Sequence, residues 1–218
     1  MMLKDAVKSG IATVRRPVAA LRLRRVIRRT AAPYKVNVGC GGTRLAGWIN
    51  TDVGWRAPLW LDVGQRWPFP PGSVSHVYGD NMVEHIRIGV ARVFFREAFQ
   101  ALVAGGRIRL ITPDVGMLVK LYSEEGEEAR WHLRNAREHG YEANHAVDLL
   151  RIVFQDAGHY LGQLWDFAAL RDELTAAGFA GVVRCRNGES EDAVLRGLEQ
   201  RAVREESPIT LAVEAVKP

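Results

Sequence analysis

Cysteine is scarce in this chain: Cys40 and Cys185 are the only two among 218 residues. Two thiols make no disulfide framework, so packing and hydrogen bonds must hold the fold. Long apolar runs are missing as well. No stretch approaches the roughly 20 apolar residues that span a bilayer. The basic N-terminus has no uninterrupted apolar core and no small-residue cleavage site, so it does not read as a secretory signal. These features together predict a cytoplasmic protein. Lysine is rare too, at five of the 30 basic residues. What remains is 47% hydrophobic and 25% charged, the composition of an ordinary globular domain, alone or with a small cap.

The charge is unevenly placed. Residues 1–35 carry ten Lys/Arg and one acid, a balance of +9, while the whole chain is +5, so the remainder is about −4. A mildly acidic body does not fit nucleic acid, whose binders usually show a basic face on the folded domain. The basic charge is concentrated in Arg15-Arg16 and in Leu21-Arg22-Leu23-Arg24-Arg25-Val26-Ile27-Arg28-Arg29. This segment, 1–33, is predicted as an amphipathic helical arm. Three roles stay open for it: packing over a ligand cleft, touching acidic lipid or a partner protein, or a solvated tail.

The most informative stretch is Val36-Asn37-Val38-Gly39-Cys40-Gly41-Gly42. A short β-branched strand runs straight into glycines, which let a ligand approach the backbone closely. Acids then recur at the ends of further apolar segments: Asp52, Asp62 and Asp80. A glycine loop followed by acids at successive strand ends is how an open parallel sheet holds a nucleoside-like cofactor at its carboxyl edge. Strands are expected near 35–39, 48–52, 59–62, 74–79 and 108–111, with a last pair at 182–185 and 209–215. A helix over 90–102 should end at Gly105-Gly106, and Pro113 should stop the fifth strand. Residues 114–165 show helical patterns and no strand, which predicts a helical lid. A core helix over 166–177 and a polar excursion at 187–207 follow. The fold class is therefore α/β, a three-layer Rossmann-like sheet of about seven strands in a domain spanning 34–218.

On these marks the chain resembles class I S-adenosylmethionine-dependent methyltransferases, closest to short bacterial members that methylate sugars and polysaccharides. The resemblance covers roughly 34–216. It is carried by V-G-C-G-G, D-V-G-Q-R-W-P-F-P-P-G-S-V, M-V-E-H-I, A-G-G-R-I-R-L-I-T-P-D, G-H-Y, A-A-G-F and the closing L-A-V-E-A. It implies S-adenosylmethionine as cofactor, with Gly39, Cys40, Gly41 and Gly42 around its methionine part. Asp52 would accept from the ribose hydroxyls and Asp62 would face the adenine amino group. Asp80 and Asn81 would lie nearest the methyl group. Many relatives carry an acid where this chain has Asn37, so Asn37 is given no charge-based role.

A hydroxyl acceptor needs a base, and histidine titrates closest to neutrality. His145 opens a lid helix and is the expected base. His85, with Glu84 in M-V-E-H-I, is expected to position the acceptor, and His159 in G-H-Y is the reserve. His76, His132 and His139 read as sheet or solvated residues. Asp80, Glu84, His85 and Asp114 offer hard donors for Mg²⁺, but no ligand spacing enforces a metal site. Trp131, Tyr141, Tyr160 and Trp165 lie in or beside the lid and suit a sugar's C–H faces. The expected activity is O-methylation of a sugar hydroxyl on a glycan or polysaccharide precursor, such as a mannose- or glucose-based one. The alternatives are a phenol or amine methyltransferase and a non-catalytic, cofactor-binding scaffold of glycan machinery. A nicotinamide dehydrogenase fits less well, because the loop is G-C-G-G and not G-x-G-x-x-G.

Overall fold

The computed structural model describes residues 2–54, 57–124, 126–199 and 209–218, with side chains described in those ranges except at 2–15 and 160. Six strands form one sheet: β1 (Tyr34–Val38), β2 (Ile49–Thr51), β3 (Val74–Asp80), β4 (Leu102–Pro113), β5 (Ala180–Cys185) and β6 (Thr210–Val216). Their order is β2-β1-β3-β4-β6-β5. The first four run parallel, and β6 is antiparallel to both β4 and β5. The carboxyl ends of β1, β2, β3 and β4 thus share one edge, where Gly39, Asp52, Asn81 and Asp114 emerge.

Among the described residues the sheet has six strands where about seven were expected, because residues 59–62 form no strand. They contribute a single bridge, Asp52 to Trp60. Pro58 lacks a ladder donor just before the segment. Just after it, the Asp62 carboxylate accepts from Gly64 N–H at 2.9 Å and from Gln65 Nε2 at 2.9 Å, turning the chain away. The expected helix stop at Gly105-Gly106 is also corrected. The helix α2 (Ile88–Ala101) ends earlier, and Leu102 is already extended. Both glycines sit inside β4, where β3 advances from Val74 to His76 while β4 advances from Leu102 to Arg107. This bulge needs small residues: a Cβ on Gly106 would lie 2.9 Å from Val103 O and 3.1 Å from Ser75 O.

Strand alternation gives the two sheet faces different chemistry. Val36, Val38, Val77, Ile108, Leu110, Leu211, Val213 and Ala215 point into the main apolar core. That core is completed by α2, by α6 (Phe167–Ala176) and by the N-terminal helix α1 (Met2–Arg29). In α1, Ala19, Leu23 and Ile27 recur at i, i+4 and i+8 and are buried, while Arg22, Arg24, Arg25, Arg28 and Arg29 are exposed. Tyr34 Oη donates to Ile27 O at 2.8 Å, tying the helix end to β1.

The opposite face carries Asn37, Tyr78, Arg109, Ile111, Ala212 and Glu214, and the loop at 41–48 and the segment 186–199 lie over it. Arg109 is fully buried and donates to Glu199 at 2.6 Å and to Glu214 at 2.5 Å, anchoring the excursion to the sheet. The rest of that excursion, 200–207, lies outside the described residues.

Between β4 and α6 the chain forms α3 (Val115–Glu124), α4 (Glu127–Glu138), α5 (Ala146–Arg151), a π-helical turn (Ile152–Asp156) and a 3₁₀ turn (His159–Leu161). The helices share a small apolar core of Leu118, Leu121, Ala129, Leu133, Ala143 and Leu149. No helix among the described residues is long and apolar enough to cross a membrane.

Candidate active site

The glycine loop is shaped by what each position tolerates. Gly39 has φ +60, and a Cβ there would lie 2.7 Å from Met82 Cβ, so this glycine lets the loop rest on the chain leaving β3. Around Gly41 and Gly42 an added Cβ meets nothing within 4 Å, so the space beside this part of the loop is open. Asp52 closes the loop from the next strand: its carboxylate accepts from Gly41 N–H at 2.8 Å and from Gly54 N–H at 2.5 Å. Asn37 works by hydrogen bonding and not by charge. It donates to Asn50 Oδ1 at 2.9 Å, and Asn50 in turn holds the backbone of Leu45 and Trp48. Burial, and then the Asp52 carboxylate, push the Cys40 thiol up to about 11. Cys40 is thus a neutral packing residue at neutral pH.

Asp62 lies at the other end of this edge. With Trp60, Leu61, Gln65 and Trp67 it lines a cavity of about 360 Å³, which Ala20, Leu23 and Arg24 of α1 wall from above. At the end of β3, Asn81 takes a positive φ of 49, and its backbone N–H donates to Ile111 O at 2.9 Å. Its Oδ1 is buried with no hydrogen-bond partner among the described residues. Asp80 lies beside Tyr78, whose hydroxyl pKa is raised by burial and then by the Asp80 charge.

Two turns later three candidate residues converge. Glu84 and His85 lie on a 3₁₀ turn, Val83–His85, whose N-cap is the same Met82 that meets Gly39. His159 comes from the insertion. Its ring centroid is 4.5 Å from that of His85, edge to face, and its Nε2 is 4.0 Å from Glu84 Oε1. Glu84 and His159 are buried, and His85 keeps an exposed edge. Burial, and then the neighbouring His85, lower His159 to about 4, and the protein around His85 lowers its pKa as well. Both rings are therefore neutral near pH 7.

The contact is close because of a residue the sequence reading passed over. Gly162 lies directly on the Glu84 backbone: a Cβ there would sit 2.7 Å from Glu84 C and 3.0 Å from His85 C. The glycine two residues after G-H-Y was the available signal for such an approach. Trp165 adds a second clamp, its Nε1 donating to Val83 O at 3.2 Å.

Other candidates lie elsewhere. His145 is exposed at the N-cap of α5, where its backbone N–H donates to Asp148 Oδ2 at 2.9 Å. Asp114 is buried and paired with Arg184, apart from the Glu84 cluster. His132, expected to be solvated, is buried beside Glu128 at 3.4 Å. Trp165, expected as a sugar platform, is 1% exposed and belongs to the main core. Trp131 is half-buried on His132, and Tyr141 is exposed beside a second cavity of about 180 Å³. Leu118, Ala136, Leu149, Ile152, Val153 and Ile209 give that cavity its apolar wall. The side chain of Tyr160 lies outside the described residues.

No family model matches the chain, and no curated protein matches it by sequence. Solved structures do match. One is an S-adenosylmethionine-dependent methyltransferase of Thermotoga maritima, described as a possible histamine N-methyltransferase. It aligns at 13% identity and a TM-score of 0.53, over 91% of this chain and 89% of that one. The CMeT domain of citrinin polyketide synthase aligns at 15% identity and a TM-score of 0.50, over 90% of this chain and 51% of that one. A Haemonchus contortus phosphoethanolamine N-methyltransferase, in complex with phosphomonomethylethanolamine and S-adenosylhomocysteine, aligns at 13% identity and a TM-score of 0.47, over 89% and 52%. The chain spans about half the length of these last two. The first two likenesses establish the fold, the Rossmann-like α/β fold of class I methyltransferases.

Proposed function

We propose that this protein is an S-adenosylmethionine-dependent O-methyltransferase. The observation that carries the reading is the glycine loop, open at Gly41 and Gly42 and braced by Asp52, at the carboxyl edge of a class I methyltransferase fold. The residues present fit the cofactor. Open loop backbone suits its methionine end, Asp52 retains lone pairs for ribose hydroxyls, and Asp62 opens on a cavity of suitable size beneath α1. Asn81 Oδ1 is a buried acceptor still lacking a donor among the described residues. When bound, the cofactor supplies an electrophilic methyl group.

The protein's own work is then to hold an acceptor hydroxyl and take its proton. Positioning alone is worth up to ~7–11 kcal/mol in well-oriented systems. His85 is the better base candidate than His145, because it joins Glu84 and His159 beside the loop and its lowered pKa keeps it neutral. Glu84 and His159 are the proposed positioning groups. The helical insertion, 114–165, is the proposed lid. The acceptor proposed is a sugar hydroxyl of a glycan precursor, a reading supported by the M-V-E-H-I and G-H-Y resemblance. A second reading, a small aromatic acceptor, is favoured by the apolar cavity in the insertion.

Calorimetry with S-adenosylmethionine tests the cofactor. Asp52→Ala should weaken binding by about ten- to a hundredfold, since hydrogen bonds to a charged group contribute roughly 1.5–3 kcal/mol. An unchanged dissociation constant in a folded variant removes Asp52 from the site. Mass spectrometry across sugar and phenol acceptors, reading a gain of one CH₂, separates the two substrate readings.

A further inference from the structure

We propose that Glu84, His85 and His159 form a binding site for a first-row transition dication, with Zn²⁺ the best match. The three side chains each offer one donor atom, and these atoms lie within 4.8 Å of one another. Zinc takes imidazole nitrogen and carboxylate oxygen at about 2.0–2.2 Å, which sets tetrahedral donors about 3.3 Å apart. The His159 Nε2 to Glu84 Oε1 separation of 4.0 Å therefore needs only a small side-chain rotation to close around an ion.

The site is held from behind. Backbone contact at Gly162 and the Trp165 indole bond to Val83 O fix the two turns that carry the donors. His159 is 5% exposed, so its ring is held in place by the surrounding protein. His85 is the exposed member and gives an ion its entry path.

The donor set selects the metal. Two imidazoles and one carboxylate suit Zn²⁺, Co²⁺ or Ni²⁺, whereas Mg²⁺ takes oxygen ligands. Three protein ligands leave a fourth position open, as in catalytic and not structural zinc sites. With the ion bound His85 is a ligand and no longer the free base proposed above; the open position would instead polarise an acceptor hydroxyl and ease loss of its proton. This last step rests on the methyl-transfer reading; binding of the ion does not.

The test uses the full chain, tag-free and stripped with chelator, titrated with ZnCl₂ by calorimetry and with Co²⁺ by visible absorption. The expected result is one equivalent of Zn²⁺ and ligand-field bands of low-coordinate Co²⁺. His85→Ala and His159→Ala should each weaken binding by about tenfold to a hundredfold or more, the range known even for outer-shell changes. His139→Ala, at a solvent-exposed histidine, should leave it intact. Stoichiometry near zero, wild-type affinity in both site variants, or displacement of Zn²⁺ by equal Mg²⁺ would each overturn the proposal. Should the buried His159 variant fail to fold, the exposed His85 variant decides alone. S-adenosylmethionine is titrated separately on the metal-free chain, so failure of the methyl-transfer reading shows there and leaves the metal result standing.

Discussion

Gly162→Ala is the sharpest probe of how the Glu84 cluster is built. The added Cβ would run into the Glu84 carbonyl oxygen, its nearest neighbour, and would lie 2.7 Å from Glu84 C. Ordinary carbon contacts begin near 3.5 Å, so the two turns must separate by more than the ~0.8 Å that the carbon contact alone requires. Overpacking of this kind costs about 1–3 kcal/mol. For a chain of this size each kcal/mol lowers Tm by about 2–4 °C, so a fall of about 2–12 °C is expected. The same movement draws His159 away from Glu84 and His85. A displacement near 1 Å in a positioned site costs about a hundredfold in rate. The Gly39–Gly42 loop is untouched, so cofactor affinity should hold while turnover falls. Gly89→Ala is the control: it lies in α2, and its Cβ would meet nothing within 4 Å. That variant should be neutral or stabilised by up to about 1 kcal/mol. If Gly162→Ala melts with the wild type and turns over normally, the two turns are not in the contact described.

Leu23→Ala in α1 removes a side chain 1% exposed and should cost about 2–5 kcal/mol by urea denaturation. Deletion of 1–30 should destabilise the sheet by more, and an unchanged midpoint would detach α1 from the core. Arg109→Met leaves Glu199 and Glu214 buried without their shared cation, a loss of about 3–5 kcal/mol; a stable variant would mean that water reaches those carboxylates. Cys40 should resist alkylation in the native state at pH 8, well below its thiol pKa of about 11, and react on unfolding. Its native rate should climb as pH rises toward 11, and rapid labelling at pH 7 would contradict its burial.

Much of this was legible because local chemistry left short-range marks. The run Val36–Gly42 gained weight from the acids spaced after it and forms a strand entering a close-approach loop, and Asp166 begins a helix, its Oδ1 accepting from Ala169 N–H at 2.8 Å. The misreadings share a physical cause. Leu59–Asp62 has strand-like residues but no room for a ladder between Pro58 and the Asp62 turn. Gly105-Gly106 looked like a helix stop, yet the pair serves a bulge whose need arises from Ser75 on a neighbouring strand. His132 sat among charges in the sequence and is buried, because helical spacing turns it with Ala129 and Leu133 toward the insertion's own core.

The site divides the same way. The proposed cofactor end is built from short-range sequence: a glycine loop and an acid eleven positions on, joined by the Gly41 to Asp52 hydrogen bond. Periodicity and spacing reach that far. The proposed acceptor end is built from two turns more than seventy residues apart, and their meeting depends on a missing Cβ at Gly162 and an indole bond from Trp165 to Val83. Neither has a local pattern. That is why the sequence put His145 first, at the start of a lid helix, whereas in the fold His159 is the insertion histidine that meets Glu84 and His85. A helix start tells where a side chain leaves the backbone; only the packing beneath it tells what that side chain can reach.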